Sequence, residues 1–507
     1  MGKRKTNLLR SEGLFPVTAG TLQKLLGPDC VLQGVEPDGI IRNIVPTVCT
    51  GVRTGSLFIP NSETDEVCAD KVRQGAVAVL TDHPLPDTPT IVVPDRIEAM
   101  RRICSWMFEA INLPAIAVTG STGKTSTKRM IYSVLKSKKQ VFSMLGNNNT
   151  FYDLCYGLQL VELGHEMIVQ EVDESRWHNI YNSSMVLKPR IAVVTNIAES
   201  HMGIVGSKEA LIRTCKGITA GMPEDGIVLI NGDDPDSLRA GFDRRVIRVG
   251  IQDQSCECTA QNIRTTPGGT RFDLCYEGNR VPIRLRVFGE HNVYNAMMAY
   301  LCGKLSGLND RAIRRGLADF RNMGIRQNIV RVSGVTVYAD CYNASLRSVG
   351  FALKCFCDLK IGKGKRMAIL GDIAEIEGFE EETYRQIAAL LDASTVDAVV
   401  TFGKDSKVIG EYLTRDLTWY HARSHRELKE LLNQHKKEYR AFLFKASRIM
   451  RLEDCVSEVF PKHYRRMRFQ VYVITKQAES GMRYLPAAAA VIKTYTVKRL
   501  RRSRHRE

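Results

Sequence analysis

Apolar residues along the chain fall into short, strand-length runs separated by stretches with helical spacing. From residue 115 the runs Ala115–Val118, Met167–Val172, Arg190–Ile197 and Gly226–Ile230 alternate with segments such as the one holding Ile131, Val134 and Leu135 on one helix face. That alternation predicts a parallel sheet wrapped by helices. A second alternating region, from about 324 to 455, has runs at Val335–Asp340, Arg366–Gly371, Ala398–Phe402 and Ala441–Phe444. It predicts a smaller doubly wound unit. Ahead of both, 15–112 reads as a small α/β unit, with a helix starting at Thr21–Leu26 and strands at Ser56–Ile59 and Ala76–Leu80, and Pro114 marks a linker.

The pattern gains chemistry at Gly120-Ser121-Thr122-Gly123-Lys124-Thr125, followed by Ser126, which sits between an apolar strand run and an amphipathic helix. This is the strand–turn–helix setting of a phosphate-binding loop. Small residues let backbone N–H groups converge on phosphate oxygens, the helix N-terminus adds partial positive charge, Lys124 neutralises more, and the Thr125 hydroxyl can hold magnesium. The chain therefore handles a nucleoside triphosphate. Val118 stands where the longer eight-residue signature has its first glycine. Polar residues cluster just after the strand runs, at Glu171, Asp173, Asn196 and His201, where ligands bind in such sheets.

Length and composition then bound the class. At 507 residues the chain should form roughly three domains, and 44% hydrophobic with 25% charged residues describes an ordinary globular protein. No run of about 18 apolar residues exists, so no membrane span is expected, and with no secretory leader pattern the protein is expected in the cytoplasm. The fourteen cysteines include C-x-C pairs at Cys256/Cys258 and Cys355/Cys357 but no zinc-site spacing, which predicts reduced, buried thiols. Of the net charge of +17, the 47 residues from Pro461 carry +11 (13 Lys+Arg against 2 Asp+Glu), leaving +6 for the rest. A basic extension over 456–507 could touch nucleic acid or an anionic surface, but it holds few aromatic residues for base stacking, and a solvated extension is the favoured reading.

Several further segments fall into one order: Glu171-Val172, VVTNIAESH (Val193–His201), GSKEALIRTCKG (Gly206–Gly217), GEHNVYNAMMAY (Gly289–Tyr300), DCYNAS (Asp340–Ser345), LGDIAEIEG (Leu370–Gly378) and FKASRIM (Phe444–Met450). Together with the loop they resemble the Mur ligase superfamily, ATP-dependent amide ligases of cell-wall precursor assembly. Within it the DCYNA, LGDIAEIEG and K-x-S-R segments most resemble the MurF type, which adds D-alanyl-D-alanine to a UDP-N-acetylmuramoyl-peptide. The resemblance implies an α/β, three-domain architecture: a substrate domain at 15–112, a central P-loop parallel-sheet ATPase domain at 113–322, a smaller doubly wound ligase domain at 323–455, and the 456–507 extension beyond them. The implied partners are small molecules, a nucleotide-linked peptide and an amine.

Residue by residue, the resemblance places Gly120 to Ser126 around the phosphates, with Lys124 on the β/γ-phosphates and Thr125 on a first magnesium shared with Glu171. His201 would ligate a second magnesium together with Lys216, whose family counterpart is carbamylated by CO₂ into a carboxylate. Lys124, Lys216 and His201 are thus the expected catalytic set. His291, Asn292 and Asn295 resemble the adenine region, and Arg326 and Asp340 the third-domain residues that close on the nucleotide. Asn147, Asn148, Tyr342, Asn343, Lys445, Ser447 and Arg448 resemble substrate-facing positions.

The departures lie on the substrate side. Val48-Cys49-Thr50 replaces the family's D-S-R segment, the Gly146–Thr150 loop continues as Phe151-Tyr152-Asp153-Leu154, Leu346 replaces a proline, and Ala446 replaces the glycine of K-G-S-R. The expectation is a working ATP-dependent ligase using an acyl phosphate. Two alternatives stay open: a related ligase with another carboxylate and amine, and a non-catalytic ATP-binding protein that recruits a partner through its basic tail.

Overall fold

The computed structural model describes residues 14–46, 52–144, 146, 148–198, 202–266, 269–322, 324–374, 376 and 378–467. It divides into two compact units, one built from the chain up to Arg321 with Ser345–Lys360 and Ala374–Leu390, the other from Asn322–Ala344, Ile361–Ile373 and the chain from Leu391 onward.

In the first unit a five-stranded sheet runs in the spatial order Val31–Gln33, Thr90–Val92, Ala76–Thr81, Ser56–Ile59, Asn43–Pro46, parallel except at its first edge. Beside it in sequence lies a nine-stranded sheet. Its strand Ala115–Thr119, third from one edge, pairs in parallel with Met167–Glu171 on one side and Ile191–Val194 on the other. Five fully buried residues in Ala115–Thr119 explain its continuous apolar run, since strands covered on both faces need no alternation. The parallel order continues through Ile227–Asn231 and Arg245–Gly250 to Cys258–Thr266, where the sheet turns antiparallel with Gly269–Tyr276 and Asn279–Leu285. The run-by-run reading of the sequence passes over this hairpin region, because its strands alternate Phe272, Leu274, Val281, Ile283 and Leu285 inward with Arg271, Asp273, Arg280, Pro282 and Arg284 outward.

One hydrophobic core crosses residue 113. Met100, Ile103 and Met107 of helix Arg96–Ile111 pack in the same cluster as Leu154, Ile180 and Val186. The Gln159 side chain also clamps the Asn43–Pro46 strand, accepting from Ile44 N at 2.8 Å and donating to Ile44 O at 3.0 Å. On the other face, helix Lys124–Leu135 packs beneath helices His291–Leu305 and Asp310–Asp319. Ser133 Oγ donates to Gly316 O at 2.7 Å, a close approach that a side chain at Gly316 would block.

The second unit is a six-stranded sheet ordered Asn328–Val332, Val335–Asp340, Tyr439–Lys445, Lys365–Gly371, Ala398–Phe402, Thr418–Ala422, parallel apart from its first hairpin. The α/β class and the doubly wound second region expected from the sequence are both present. The C-terminal boundary differs. Residues 456–467, assigned from charge to the basic extension, are helical over Leu452–Val459 and 461–467, and Val459, Phe460 and Met467 are buried in the sheet's core. His463 Nε2 lies 3.1 Å from Val335 O, and Arg466 donates to Arg331 O at 2.8 Å. Charge counting missed this because the few apolar residues there decide the packing while the arginines stay outside. Residues 468–507 lie outside the described residues. Among those described, no helix is long and apolar enough to cross a membrane.

Candidate active site

The glycine-rich loop expected to bind phosphate follows the buried end of strand Ala115–Thr119. Gly120 has φ +120° and a Cβ there would overlap Thr195 Oγ1; Gly123 has φ +84°, with Asn295 Oδ1 3.1 Å from where a Cβ would stand. Both positions require glycine. Segment 195–198, at the end of the run read as strand through Ile197, leaves the ladder after Val194 and braces the loop instead. Thr195 Oγ1 donates to Thr122 O at 2.6 Å, Asn196 Nδ2 donates to Thr122 O at 2.9 Å, and Ser121 and Ala198 exchange two bonds.

This bracing alters the role expected of two loop amides. Ser121 N donates to Asn196 O at 2.9 Å and Thr122 N to Asn196 Oδ1 at 3.2 Å, so both are engaged by protein. The donors left for an anion are the first-turn amides of helix Lys124–Leu135, which Gly123 caps and which includes Ser126; they have no partner within the helix.

Two carboxylates face the loop. Lys124 Nζ stands 2.8 and 2.7 Å from the two oxygens of Glu174, which is fully buried. Burial pulls the Lys124 ammonium down, but Glu174 and then Glu171 more than offset it and hold the group above the ordinary lysine value. Glu174 was not expected from the sequence; its only signal is its place three residues after Glu171. Glu171, 1% exposed, accepts at Oε1 from Thr125 Oγ1 and from Asn149 Nδ2, both at 3.1 Å. Its Oε2 accepts no hydrogen bond and lies 3.5 Å from Lys128 Nζ. Lys128, also missed, is 1% exposed and donates to the carbonyls of Met144 and Gly146 at 2.9 and 2.8 Å. One buried ammonium therefore ties the loop helix, the asparagine-rich segment and Glu171 together.

The donor set at Thr125 and Glu171 suits a hard cation. A buried carboxylate oxygen with no hydrogen bond beside a hydroxyl is oxygen-only chemistry, and magnesium is commonly held by one or two carboxylates with substrate phosphates completing the shell. Among the described residues no group of three or more His, Cys, Asp or Glu could hold a metal alone. His201 and Asn147 lie outside the described residues.

The structure brings Asn292 and Asn295 to the loop but bonds their amides internally. Asn295 Oδ1 accepts from Thr127 Oγ1 at 2.9 Å, Asn295 Nδ2 donates to Asn292 Oδ1 at 3.3 Å, and Asn292 Nδ2 donates to Phe288 O at 2.8 Å. In this arrangement they brace helix His291–Leu305 against the loop helix. The His291 ring, at the start of that helix, lies 5.5 Å from Phe351.

Asn148 is exposed, with its carbonyl accepting from Gln170 Nε2 at 3.1 Å. The departure at Phe151-Tyr152-Asp153 has a local explanation. Asp153 accepts from Thr150 N and Oγ1 at 3.0 and 2.7 Å, a capping box that starts helix Phe151–Leu158 right after the loop. Lys216 is the half-buried last residue of helix Lys208–Lys216, and its carbonyl accepts from Thr219. Its neighbour Cys215 is fully buried; burial pushes that thiol well up, Glu174 adds to the effect and Lys124 opposes it.

In the second unit, parallel register sets Asp340 opposite Lys445. Lys445 Nζ pairs with Asp340 at 3.2 Å and donates to Asn343 O, while Gln327 N donates to Asp340 at 3.1 Å. The Arg326 guanidinium stacks 3.5 Å over the Tyr342 ring. Ser447 N donates to Asp372 O at 3.1 Å, and Arg448 is paired with Glu453. Asp372, another residue not singled out from sequence, accepts backbone N–H bonds from Lys404, Asp405 and Ser406.

Comparison with known proteins matches the Mur ligase middle domain at residues 118–303 and the Mur ligase, glutamate ligase domain at 325–448. The chain is 31% identical over 393 residues to a UDP-N-acetylmuramoyl-tripeptide--D-alanyl-D-alanine ligase of Bacillus subtilis (strain 168), covering 76% of this chain and 85% of that one. In fold it is similar to MurF from Acinetobacter baumannii, with TM-score 0.78, 23% identity and coverage of 88% of this chain and 99% of that one. It is likewise similar to MurF ligase from Thermotoga maritima in complex with ADP, with TM-score 0.72, 22% identity and coverage of 84% and 98%.

Proposed function

Because the chain belongs to the Mur ligase family, we propose that it is an ATP-dependent carbon–nitrogen ligase that joins D-alanyl-D-alanine to a UDP-N-acetylmuramoyl-peptide in peptidoglycan precursor synthesis. The observation that carries the reading is Lys124 and Thr125 meeting Glu174 and Glu171 on a glycine-shaped loop, in a chain aligned over 85% of a ligase with that activity. The compartment that fits is the cytoplasm, where ATP and nucleotide-linked precursors are found.

A substrate carboxylate oxygen attacks the γ-phosphorus of ATP, the bond to the bridging oxygen breaks, and ADP leaves. The amine, having lost its ammonium proton to solvent, attacks the acyl carbon; the tetrahedral adduct expels phosphate and sheds the remaining proton to give the amide. The protein's part is mainly charge placement. Lys124 exchanges Glu174 for phosphate oxygens as the charge moves, and the first-turn amides hold the chain of phosphates. Thr125 and Glu171 would hold a magnesium ion, which supplies Lewis-acid neutralisation of the phosphate oxygens. A second magnesium would rest on His201 and a carbamylated Lys216. Asn147, Asn148, Tyr342, Asn343, Lys445, Ser447 and Arg448 are the proposed substrate contacts, with Asn292, Asn295, Arg326 and Asp340 serving the nucleotide.

The test supplies purified protein with ATP, magnesium, UDP-N-acetylmuramoyl-tripeptide and D-alanyl-D-alanine, following phosphate release and the amide by mass spectrometry. Coupled formation of both supports the proposal. Amine-dependent phosphate release only with some other pair would move the substrate assignment, and nucleotide binding without turnover on any pair would defeat the ligase reading.

A further inference from the structure

At the antiparallel end of the nine-stranded sheet, three arginines stand directly opposite one another across adjacent strands. Arg264 of Cys258–Thr266 pairs in register with Arg271 of Gly269–Tyr276, which pairs with Arg284 of Asn279–Leu285. All three are exposed, and among the described residues they make no hydrogen bond or ion pair. Opposed side chains of paired strands lie roughly 5 Å apart at Cβ, where like charges destabilise the sheet.

Folding alone does not call for this arrangement. The alternation that buries Phe272, Ile283 and Leu285 requires only some polar residue at each outward position. The same arginines also line a concavity of about 600 Å³, with Arg314 of helix Asp310–Asp319 at its rim. The one acidic residue in the lining, Asp273, is engaged elsewhere: Arg280 binds it at 2.7 Å and Asn262 at 2.8 Å. Four guanidiniums and a single carboxylate, itself already paired with Arg280 through Oδ2, therefore line a space of small-molecule size, leaving a net positive lining.

We propose that this concavity is a binding site for a soluble oligophosphate, separate from the nucleotide site. Guanidinium forks match phosphate oxygens two at a time, and a ligand carrying several phosphates can engage guanidiniums on all three strands and relieve their mutual repulsion. The lining offers no exposed aromatic face for a base, so phosphates and not a nucleobase are the recognised groups. The site is distinct from the loop at Gly120: five strand spacings of ~4.8 Å separate Gly269–Tyr276 from Ala115–Thr119, about 24 Å.

The test uses the full chain with its nucleotide site saturated by excess magnesium and a non-hydrolysable ATP analogue. Titration with tripolyphosphate in a calorimeter should show one further saturable site per chain, weakening as salt is raised. The variant Arg264→Ser/Arg271→Ser/Arg284→Ser should bind at least tenfold more weakly. Its midpoint of thermal unfolding without ligand should match or exceed the parent's, which separates loss of the site from loss of the fold. Tripolyphosphate should raise the parent's midpoint and not the variant's. Equal binding by parent and variant, or no binding by the blocked parent, overturns the proposal. So does arginine-dependent sedimentation with phosphatidylglycerol vesicles in the absence of tripolyphosphate binding, since that assigns the patch to a membrane surface.

Discussion

Lys124 Nζ lies within 2.8 Å of the carboxylate of Glu174, so the lysine proposed to bind phosphate has an anionic partner before any triphosphate reaches it. An arriving phosphate must compete with that carboxylate.

Replacing Glu174 by Gln should leave the ammonium buried without its partner, costing about 3–5 kcal/mol in the ligand-free protein. MgATP then restores an anionic partner, so the ATP-induced rise in thermal midpoint should be larger in E174Q than in the parent. The sign with pH follows from the raised lysine. Its contribution is full below the unfolded lysine pKa and lost as pH rises through the folded one, so the stability gap between parent and E174Q should be widest at neutral pH and narrow under alkaline conditions. Thermal melts with and without MgATP across that range check both, and identical curves for the two proteins would count against the competition.

Lys128→Met should remove the ammonium 3.5 Å from Glu171 Oε2 and leave the Met144 and Gly146 carbonyls without their donor. A loss of about 3–5 kcal/mol is expected in urea unfolding. In the fraction that folds, kcat should fall more than the KM for ATP rises, because the loop lysine and its amides are untouched.

Gly120→Ala should abolish ATP binding at millimolar concentration, since it combines a left-handed backbone with overlap on Thr195 Oγ1. Adding Thr195→Ala removes the overlap but not the backbone strain. Equilibrium dialysis should therefore show at most partial recovery.

Lys216→Ala should lower ligase turnover at least a hundredfold while ATP binding persists, and parent activity should fall in CO₂-depleted buffer and return with bicarbonate. Full activity in the alanine variant would remove the carbamate from the mechanism.

Truncation separates the folded end from the extension. A chain ending at Met467 should keep the parent's stability and turnover, whereas one ending at Val459 loses Phe460 and Met467 from the core. At roughly 1.5–3 kcal/mol for each buried side chain, the shorter chain should unfold at clearly lower temperature.

Much of the scaffold is legible in the order of residues. Strands Ser56–Ile59, Val335–Asp340 and Ala398–Phe402 appear where apolar runs predict them, and Ala115–Thr119 leads into the loop as its strand–turn–helix setting requires. The hairpins from 258 to 285 were less legible, because outward residues such as Arg271, Asp273, Arg280, Pro282 and Arg284 break up the apolar runs. Within the site, Thr125 with Glu171 follows from residue type and place. Glu174 and Lys128 do not, because a carboxylate after a strand and a lysine on a helix look like solvated residues until their burial is known.

The sequence alone determined what depends on neighbours along the chain: the periodicity of strands and helices, the glycines that shape the loop, and the supply of oxygen and ammonium groups near strand ends. The tertiary structure decided who meets whom. Lys124 finds Glu174 across 50 positions, Thr122 is held by Asn196 across 74, and three arginines come into line only through strand register. Such pairings depend on sheet order, register and burial, which are properties of the packed chain as a whole and not of any local segment.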